Sequence, residues 1–211
     1  MKNKAVFLDR DGVINEIVYH KEMGILDSPA NVDEFVLFPD AAKAIKKFRQ
    51  LGFKVIIISN QPGIAKDKFT LETFENIRKK MKKQLEIQGA YLDAEYYCFH
   101  HPEGRNKDFT MVCECRKPKP GLILKAAAEH DIDLKNSWMI GDGIIDMQAG
   151  SRAGCKTILI GRVKCDLCKM MEDENVKPNF IAQNLNKALI IIQQDMRGSE
   201  NGDISRYSKY I

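Results

Sequence analysis

The sequence predicts an α/β protein with a parallel sheet and helices on both of its faces. Apolar runs that are typical of buried strands alternate with segments of helical periodicity along most of the 211 residues. Polar clusters follow several of the predicted strands, at the edge where such sheets bind ligands. The length fits one domain, which we place at residues 1–195, followed by a flexible polar tail at 196–211.

The predicted elements follow one another in regular alternation. The first strand, Lys4–Leu8, is a short apolar run, and a second at 53–59 reads Phe-Lys-Val-Ile-Ile-Ile-Ser, as expected for a strand covered on both faces. Residues 40–51 between them carry apolar side chains at helical spacing, and Thr70 is suited to cap a helix that runs towards Gln88. The remaining predictions are a strand at 94–99, a helix at 120–131, a strand at 137–140, a helix at Ile144–Ala153, a strand at Lys156–Ile160 and a last helix that includes 188–192. Together they predict a three-layer, Rossmann-like parallel sheet.

Charge and composition narrow the function classes. The 33 basic and 29 acidic residues leave a net charge of +4, which is too mild to indicate nucleic acid as a partner but would attract an anionic substrate. No apolar run is long enough to cross a membrane, and the one near the N-terminus is too short for a signal peptide. We therefore expect a soluble cytoplasmic monomer, whose six cysteines bind metal or pack rather than form disulfides.

The tetrapeptide Asp9-Arg10-Asp11-Gly12 directly follows the first strand. Residues i and i+2 of an extended chain point the same way, so Asp9 and Asp11 start on one side before the glycine lets the chain turn. Two close carboxylates favour a cation between them, and Mg²⁺ suits such oxygens. One aspartate could then act as a nucleophile while the other carries a proton. On its own the same tetrapeptide is more often a solvated surface turn.

Three further polar groups stand at strand ends or before helices. A Ser-Asn-Gln triplet can hold phosphoryl oxygens, a lysine in a basic turn can neutralise negative charge in a transition state, and two aspartates can complete a Mg²⁺ site and orient the lysine. Each group alone also fits a strand cap, a solvated turn or a helix N-cap. The residues are Ser59, Asn60 and Gln61; Arg116 and Lys117; and Gly141, Asp142 and Asp146.

Two long segments interrupt the alternation. The first, 13–39, is interpreted as a flap. The second contains two Cys/His pairs, Cys98 with His100 and Cys113 with Cys115, which form a plausible tetrahedral Zn²⁺ site in a loop at 98–115. Buried free thiols are the alternative. A zinc ion there would be structural, and it would fix the adjacent Arg116 and Lys117. Three other cysteines are assigned no special role: Cys155, Cys165 and Cys168.

In their order and placement the four motifs resemble those of the haloacid dehalogenase superfamily of phosphatases. The resemblance implies that Asp9 attacks phosphorus to form an aspartyl phosphate, and that Asp11 serves as general acid and then general base. It implies Mg²⁺ held by Asp9, the backbone carbonyl of Asp11 and Asp142. It also implies that Ser59 and Lys117 bind the phosphoryl oxygens. Such an assembly suits phosphoryl transfer, which requires positioning and charge neutralisation above all.

The Cys/His loop narrows the resemblance to the D-glycero-D-manno-heptose 1,7-bisphosphate 7-phosphatases and the related histidinol-phosphate phosphatases, which have a minimal cap. This branch implies that Arg116 contacts the phosphate that is not cleaved and that Asn15, Asn60 and Gln61 bind substrate. The chain departs from the branch in its longer flap, in Pro62 and in Gly143, where a lysine is expected. These departures leave the substrate open.

The sequence therefore predicts a Mg²⁺-dependent phosphatase with a structural zinc, acting on a small phosphorylated metabolite. A heptose bisphosphate of carbohydrate metabolism is the first choice and histidinol phosphate the second. A polynucleotide 3′-phosphatase or a nucleic-acid-binding zinc protein is a third alternative. The mild charge and the lack of a basic run interleaved with aromatic residues argue against that third alternative.

Overall fold

The computed structural model describes residues 2–20, 25–161, 175–176 and 178–201. The strands in these ranges are β1 Lys4–Leu8, β2 Val18–His20, β3 Ile25–Asp27, β4 Phe53–Asn60, β5 Ala94–Cys98, β6 Trp138–Gly141, β7 Lys156–Ile160 and β8 Phe180–Ala182. The helices are α1 Ala41–Gln50, α2 Leu71–Ile87, α3 Gly121–Glu129, α4 Ile144–Ala153 and α5 Leu185–Asn201, with a 3-10 turn at Leu134–Asn136.

Six strands form one parallel sheet in the order β5-β4-β1-β6-β7-β8. Strand β1 lies between β4 and β6, so the chain extends the sheet first on one side of β1 and later on the other. Ligands bind at such a switch point, outside the carboxyl ends of the strands. The predicted parallel sheet is confirmed, and β8 is a strand that the sequence interpretation missed.

Successive residues of β1 point to opposite faces of the sheet. Val6 and Leu8 belong to one apolar core, together with buried side chains of α1, α2 and α5. Ala5 and Phe7 belong to a second core, which α3 and part of α4 cover. Both faces of the strand are buried, which explains its near-continuous apolar sequence. The helices on the two faces complete the predicted three layers.

Two helix starts follow from local hydrogen bonding. The hydroxyl of Thr70 accepts a hydrogen bond from the backbone N–H of Thr73 at 3.1 Å, which confirms it as the N-cap of α2. At α4 the Gly143 N–H donates to a carboxylate oxygen of Asp146 at 3.0 Å. Asp146 is thereby fixed in the first turn of α4, directly beside the carboxyl end of β6.

The flap contains a short antiparallel hairpin that the sequence interpretation treated as loop. Its strands are β2 and β3, in which Val18 pairs with Asp27. An ion pair from Lys68 to Asp27 links the hairpin to the segment between β4 and α2. At the base of the flap, the Glu16 N–H donates to the Val36 carbonyl at 2.9 Å. The hairpin is thus linked to the segment after β4, and the two ends of the flap pair with each other.

Several predictions concern residues outside the described ranges. Cys165 and Cys168 are among them, as is the part of the predicted tail from 202 onward. Helix α5 itself continues past the predicted domain boundary at 195 and ends at Asn201. The division into one domain and a flexible tail stays a prediction. Within the described ranges, no helix has the length and apolar character that crossing a bilayer requires.

Candidate active site

The sequence motifs meet at the carboxyl ends of the central strands. Asp9 follows β1, Ser59 lies near the end of β4, and Asp142 follows β6. Lys117 reaches the same place from the loop between β5 and α3. Carboxylate oxygens of Asp9, Asp142 and Asp146 lie within 4.8 Å of one another. Residues from opposite ends of the sequence are therefore brought together because parallel strands share one edge.

Lys117 lies at the centre of this group. Its ammonium nitrogen is 2.9 Å from an oxygen of Asp9 and 2.5 Å from an oxygen of Asp146, and it donates a hydrogen bond to the carbonyl of Ile58 at 2.9 Å. The side chain is only 1% exposed. Its backbone is held by Asn60, whose side-chain amide accepts from the Lys117 N–H and donates to the Lys117 carbonyl, both at 3.0 Å. Asn60 thus fixes the position of the Lys117 backbone.

The acids carry more negative charge than one lysine neutralises. Burial raises the pKa of Asp9 to about 6, against the opposing effect of Lys117 and with further raising by Asp146 and Asp11. Burial and the nearby Asp9 and Asp146 raise the pKa of Asp142 to about 8. Burial alone would lower the pKa of Lys117, but Asp146 and Asp9 hold it above its ordinary value. The acidic cluster therefore favours a second cation.

The oxygens that such a cation could use are those of Asp9, Asp142 and Asp146. In Asp9 and in Asp146 one oxygen faces Lys117 and the other accepts a backbone N–H, that of Arg10 for Asp9 and that of Gly143 for Asp146. Hard oxygen ligands of this kind suit Mg²⁺. Gly12 makes the close approach of the two motifs possible: a Cβ added there would lie 2.2 Å from an oxygen of Asp142. The donor set fits a divalent cation between the two motifs.

Asp11 has a different environment, because its carboxylate points to Arg10 rather than to Lys117. Arg10 donates from Nε and Nη2 to the two oxygens of Asp11, at 3.0 Å each. The side-chain amides of Asn15 and Gln61 donate to the same carboxylate at 2.9 and 2.8 Å. Burial would raise the pKa of Asp11, but Arg10 and these hydrogen bonds outweigh it and hold that pKa below its ordinary value.

Two residues predicted to bind substrate are fully buried beside Asp11. Asn15 and Gln61 both have a relative exposure of 0%. Gln61 also donates to the hydroxyl of Ser59 at 3.1 Å, which joins Ser59 to the same network. In this structure both amides contact Asp11, and their contact with substrate stays a prediction. The sequence analysis assigned no role to Arg10.

The second metal-binding candidate is the Cys/His cluster. Donor atoms of Cys98, His100, Cys113 and Cys115 lie within 4.8 Å of one another. The sulfur of Cys115 is 3.1 Å from that of Cys113 and 3.2 Å from that of Cys98, and 3.3 Å from Nδ1 of His100. The four cysteines within the described ranges are all free thiols. Three sulfurs and one imidazole nitrogen converging on a point are the donor set of a structural zinc site.

Basic residues lie beside the Cys/His cluster. Arg116 is half-buried and donates to the carbonyl of His100 at 3.3 Å. Burial lowers the pKa of His101, and the positive charges of Lys66 and Arg116 lower it further. Lys66 therefore belongs to the same positively charged region, although no sequence motif pointed to it. Its position five residues after the Ser-Asn-Gln triplet is the signal that the sequence offered.

Comparisons with known proteins agree with this geometry. A family model described as HAD-hydrolase-like matches residues 114–188. The chain is 39% identical, over 75% of its length and 80% of the relative's, to the D-glycero-β-D-manno-heptose-1,7-bisphosphate 7-phosphatase of Yersinia pestis. It is 34% identical to the protein of that name from Pasteurella multocida, over 86% of this chain and 92% of that one.

The chain belongs to the haloacid dehalogenase superfamily. It is a phosphoric monoester hydrolase of that superfamily, as its relatives are. A crystal structure of D,D-heptose 1,7-bisphosphate phosphatase from B. bronchiseptica, complexed with magnesium and phosphate, matches with a TM-score of 0.72 and 30% identity, over 91% of this chain and 99% of that one. The resemblance drawn from the motifs is thus confirmed by both sequence and fold.

Gly12→Ala should disable this phosphatase by displacing Asp142. Gly12 has φ +77°, and an added Cβ would meet Asp142, so both backbone strain and a clash are expected. A displacement of about 1 Å at a catalytic group can cost roughly 10²-fold in rate. Gly52→Ala is the matched control, because Gly52 has φ +82° with no atom within 4 Å of the added Cβ. Equal losses of kcat/KM in the two variants would contradict the role of the Asp142 contact.

Asp142→Asn should stabilise the protein in magnesium-free buffer, and more so at higher pH. The pKa of Asp142 is raised from 3.8 to about 8 in the folded state. Ionising it therefore lowers stability, progressively from about pH 4 until pH passes the folded value near 8. Because ~1 kcal/mol shifts Tm by roughly 2–4 °C in a chain of this size, we expect a rise of several degrees at pH 8 and little change at pH 4. A Tm difference independent of pH would contradict the electrostatic cause.

Proposed function

We propose that the protein hydrolyses the 7-phosphate of D-glycero-D-manno-heptose 1,7-bisphosphate through an aspartyl-phosphate intermediate. The choice of substrate rests on the name shared by the relatives, which are 34–39% identical to this chain over 75–86% of its length. The site supports the chemistry independently, since it combines a nucleophile candidate, a separate acid–base candidate and a buried lysine. Phosphoryl transfer needs this combination of positioning and charge neutralisation.

In the first half of the proposed reaction, an oxygen of Asp9 attacks the phosphorus. A new P–O bond forms to Asp9 as the bond to the sugar oxygen breaks, and Asp11, which takes up a proton from solvent when substrate binds, gives that proton to the leaving oxygen. In the second half, Asp11 takes a proton from a water molecule that attacks the phosphorus, which frees Asp9 and releases inorganic phosphate. The separate environments of the two acids support this division, because Asp9 faces Lys117 and Asp11 faces Arg10.

Lys117 and Ser59 hold the phosphoryl oxygens in this proposal, and Asp146 orients the lysine. The 2.5 Å contact from Lys117 to Asp146 supports the orienting role. Asp9, the backbone carbonyl of Asp11, and Asp142 would hold Mg²⁺. When bound, the ion supplies charge neutralisation at the transferred phosphoryl group. The excess of buried carboxylate over lysine charge supports its binding, because a cation there would lower the raised pKa values of Asp9 and Asp142.

The phosphate that is not cleaved would lie near Arg116, with Asn15, Asn60 and Gln61 as further predicted substrate residues. The neighbouring Lys66 supports an anion there, because it extends the positive region around Arg116. Electrostatic attraction of this kind raises local substrate concentration and the association rate. The role of Arg116 follows from the resemblance and is part of the proposal.

Zn²⁺ would be held by Cys98, His100, Cys113 and Cys115 and would have a structural role. The four donors are all protein atoms, so a tetrahedral ion would have no position left for water or substrate. Fixing Cys115 would also fix Arg116 and Lys117, which follow it directly. The proposal further includes the cytoplasm as the compartment and a single copy of the chain as the active unit, both of which stay predictions.

Histidinol phosphate is the second candidate substrate. Gly143, which follows Asp142, contributes no cation to the site, and this favours a substrate with one phosphate over one with two. Nucleic-acid substrates have weaker support because the net charge is only +4.

A comparison of substrates tests the proposed function. Phosphate release would be measured with and without Mg²⁺ from heptose 1,7-bisphosphate, histidinol phosphate, other sugar phosphates and a DNA 3′-phosphate. We expect the highest kcat/KM, strictly dependent on Mg²⁺, for the heptose bisphosphate. A preference for histidinol phosphate would replace the proposed substrate, and the absence of Mg²⁺-dependent release from any of these compounds would overturn the proposal.

Asp9→Asn should abolish turnover, with a loss of at least about 10⁴-fold in kcat, because the amide is a poor nucleophile. Acid-quenched reactions with a ³²P-labelled substrate should contain no labelled protein. Asp40→Asn is a matched control outside the site, since the side chain of Asp40 makes no capping hydrogen bond at the start of α1. Substantial residual activity in the Asp9 variant, or a trapped phosphoenzyme, would rule out Asp9 as the nucleophile.

Cys113→Ser should lower both zinc content and stability, because serine replaces one of the proposed thiolate ligands. Cys155→Ser is the control: Cys155 is a buried thiol that packs in the second core and lies outside the cluster. Zinc would be measured by atomic absorption on the purified variants and stability by thermal unfolding. Full zinc content with an unchanged Tm in the Cys113 variant would exclude this ligand.

A further inference from the structure

Arg10 is a fully buried charged side chain beside the proposed acid–base residue. Its relative exposure is 0%, and it is among the largest side chains that are completely buried in the described residues. Removing a guanidinium from water costs several kcal/mol unless a well-oriented anion compensates it. The anion is Asp11, whose side chain is 13% exposed. Because Arg10 is buried, we expect its ion pair with Asp11 to hold one geometry, unlike an ion pair exposed to solvent.

The contacts to Asp11 form a clamp with two hydrogen bonds to each carboxylate oxygen. One oxygen accepts from Arg10 Nε at 3.0 Å and from Asn15 at 2.9 Å. The other accepts from Arg10 Nη2 at 3.0 Å and from Gln61 at 2.8 Å. A planar guanidinium that donates to both oxygens fixes the direction and the rotation of a carboxylate, which a point charge cannot do. We name Arg10, Asn15 and Gln61 the Asp11 clamp.

Arg10 is itself fixed by residues from other elements. Its Nη2 also donates to the side-chain carbonyl of Gln61 at 2.8 Å, so arginine and amide orient one another. On its other side the guanidinium lies over the ring of Phe74, 5.7 Å from the centroid. Phe74 in turn packs edge-on against Tyr97 of β5, with centroids 4.8 Å apart. The Asp11 clamp therefore has its position set by α2, by β5 and by the segment after β4.

We propose that Arg10 is a positioning residue of the reaction, which holds the Asp11 carboxyl group in the direction needed for proton transfer to the leaving oxygen. The inference rests on the proposed roles of Asp9 and Asp11. All four hydrogen-bonding positions of the carboxylate are occupied, two of them by the arginine and two by amides. Contact with a leaving oxygen therefore requires one amide to release its hydrogen bond, while Arg10 keeps the group aligned.

The leaving group provides the test. Breaking the P–O bond to a sugar oxygen requires a proton from Asp11, whereas para-nitrophenolate leaves without one. Since kcat/KM reports the steps up to the phosphoenzyme, later hydrolysis does not affect the comparison. We expect Arg10→Met to lower kcat/KM for the best sugar phosphate at least about 10-fold more than for para-nitrophenyl phosphate. Arg10→Lys, which keeps the charge without the two-pronged donation, should give an intermediate ratio.

Two controls separate positioning from structural damage. Arg49→Met removes another arginine paired with a carboxylate, that of Asp93 just before β5 and so at the opposite edge of the sheet from the site, and should leave the substrate ratio unchanged. In an Asp11→Asn background, Arg10→Met should have no further effect on the ratio, because the residue acts through Asp11. Losses that are equal for both substrates in Arg10→Met and Arg10→Lys, or that add to those of Asp11→Asn, would overturn the inference. If the wild-type protein hydrolyses neither substrate, the proposed function is wrong, and this inference with it.

Discussion

The buried ammonium group of Lys117 is the interaction on which the arrangement of the site depends. It contacts Asp9 after β1, Asp146 in α4 and the carbonyl of Ile58 in β4. These segments lie far apart in the chain, and each would leave a buried polar group unpaired without the lysine. Removing one partner of a buried ion pair typically costs about 3–5 kcal/mol. The lysine therefore couples the stability of the sheet edge to the geometry of the site.

The position of Lys117 depends in turn on a loop with little apolar content. Cys98 ends β5, while Cys113 and Cys115 come just before Arg116, and their sulfurs converge with His100. On the other side, Asn60 pairs with both backbone groups of Lys117. The loop is thus held at the Cys/His cluster, at the end of β4, and at the carbonyl of Ala65, which accepts from the N–H groups of Arg105 and Asn106. The contacts that order the loop also direct the side chain of Lys117 towards Asp9 and Asp146.

Much of the fold could be predicted because its strands are long apolar runs and its helices have regular periodicity. Asp9, Ser59 and Asp142 came together because they lie at the ends of parallel strands that share one edge, and Lys117 reaches that edge from the loop before α3. The hairpin β2–β3 and strand β8 were missed because three residues are too few to show a period of two. The contacts of Arg10 and Asn60 were not predictable either. Arg10 contacts Gln61 at a separation of 51 positions and Asn60 contacts Lys117 at a separation of 57, and a charged or amide side chain alone suggests solvent exposure.

The position of β1 in the middle of the sheet determines when the site can form. Val6 pairs with Val55 on one side and with Trp138 on the other, so β1 gains its second neighbour only after more than 130 further residues have been synthesised. Asp9 meets Asp146 later still. Closing such distant contacts is slow compared with local helix formation. A nascent chain therefore contains Asp9 long before Asp142 and Asp146, so the acidic cluster at the sheet edge can form only after the first turn of α4 has been synthesised.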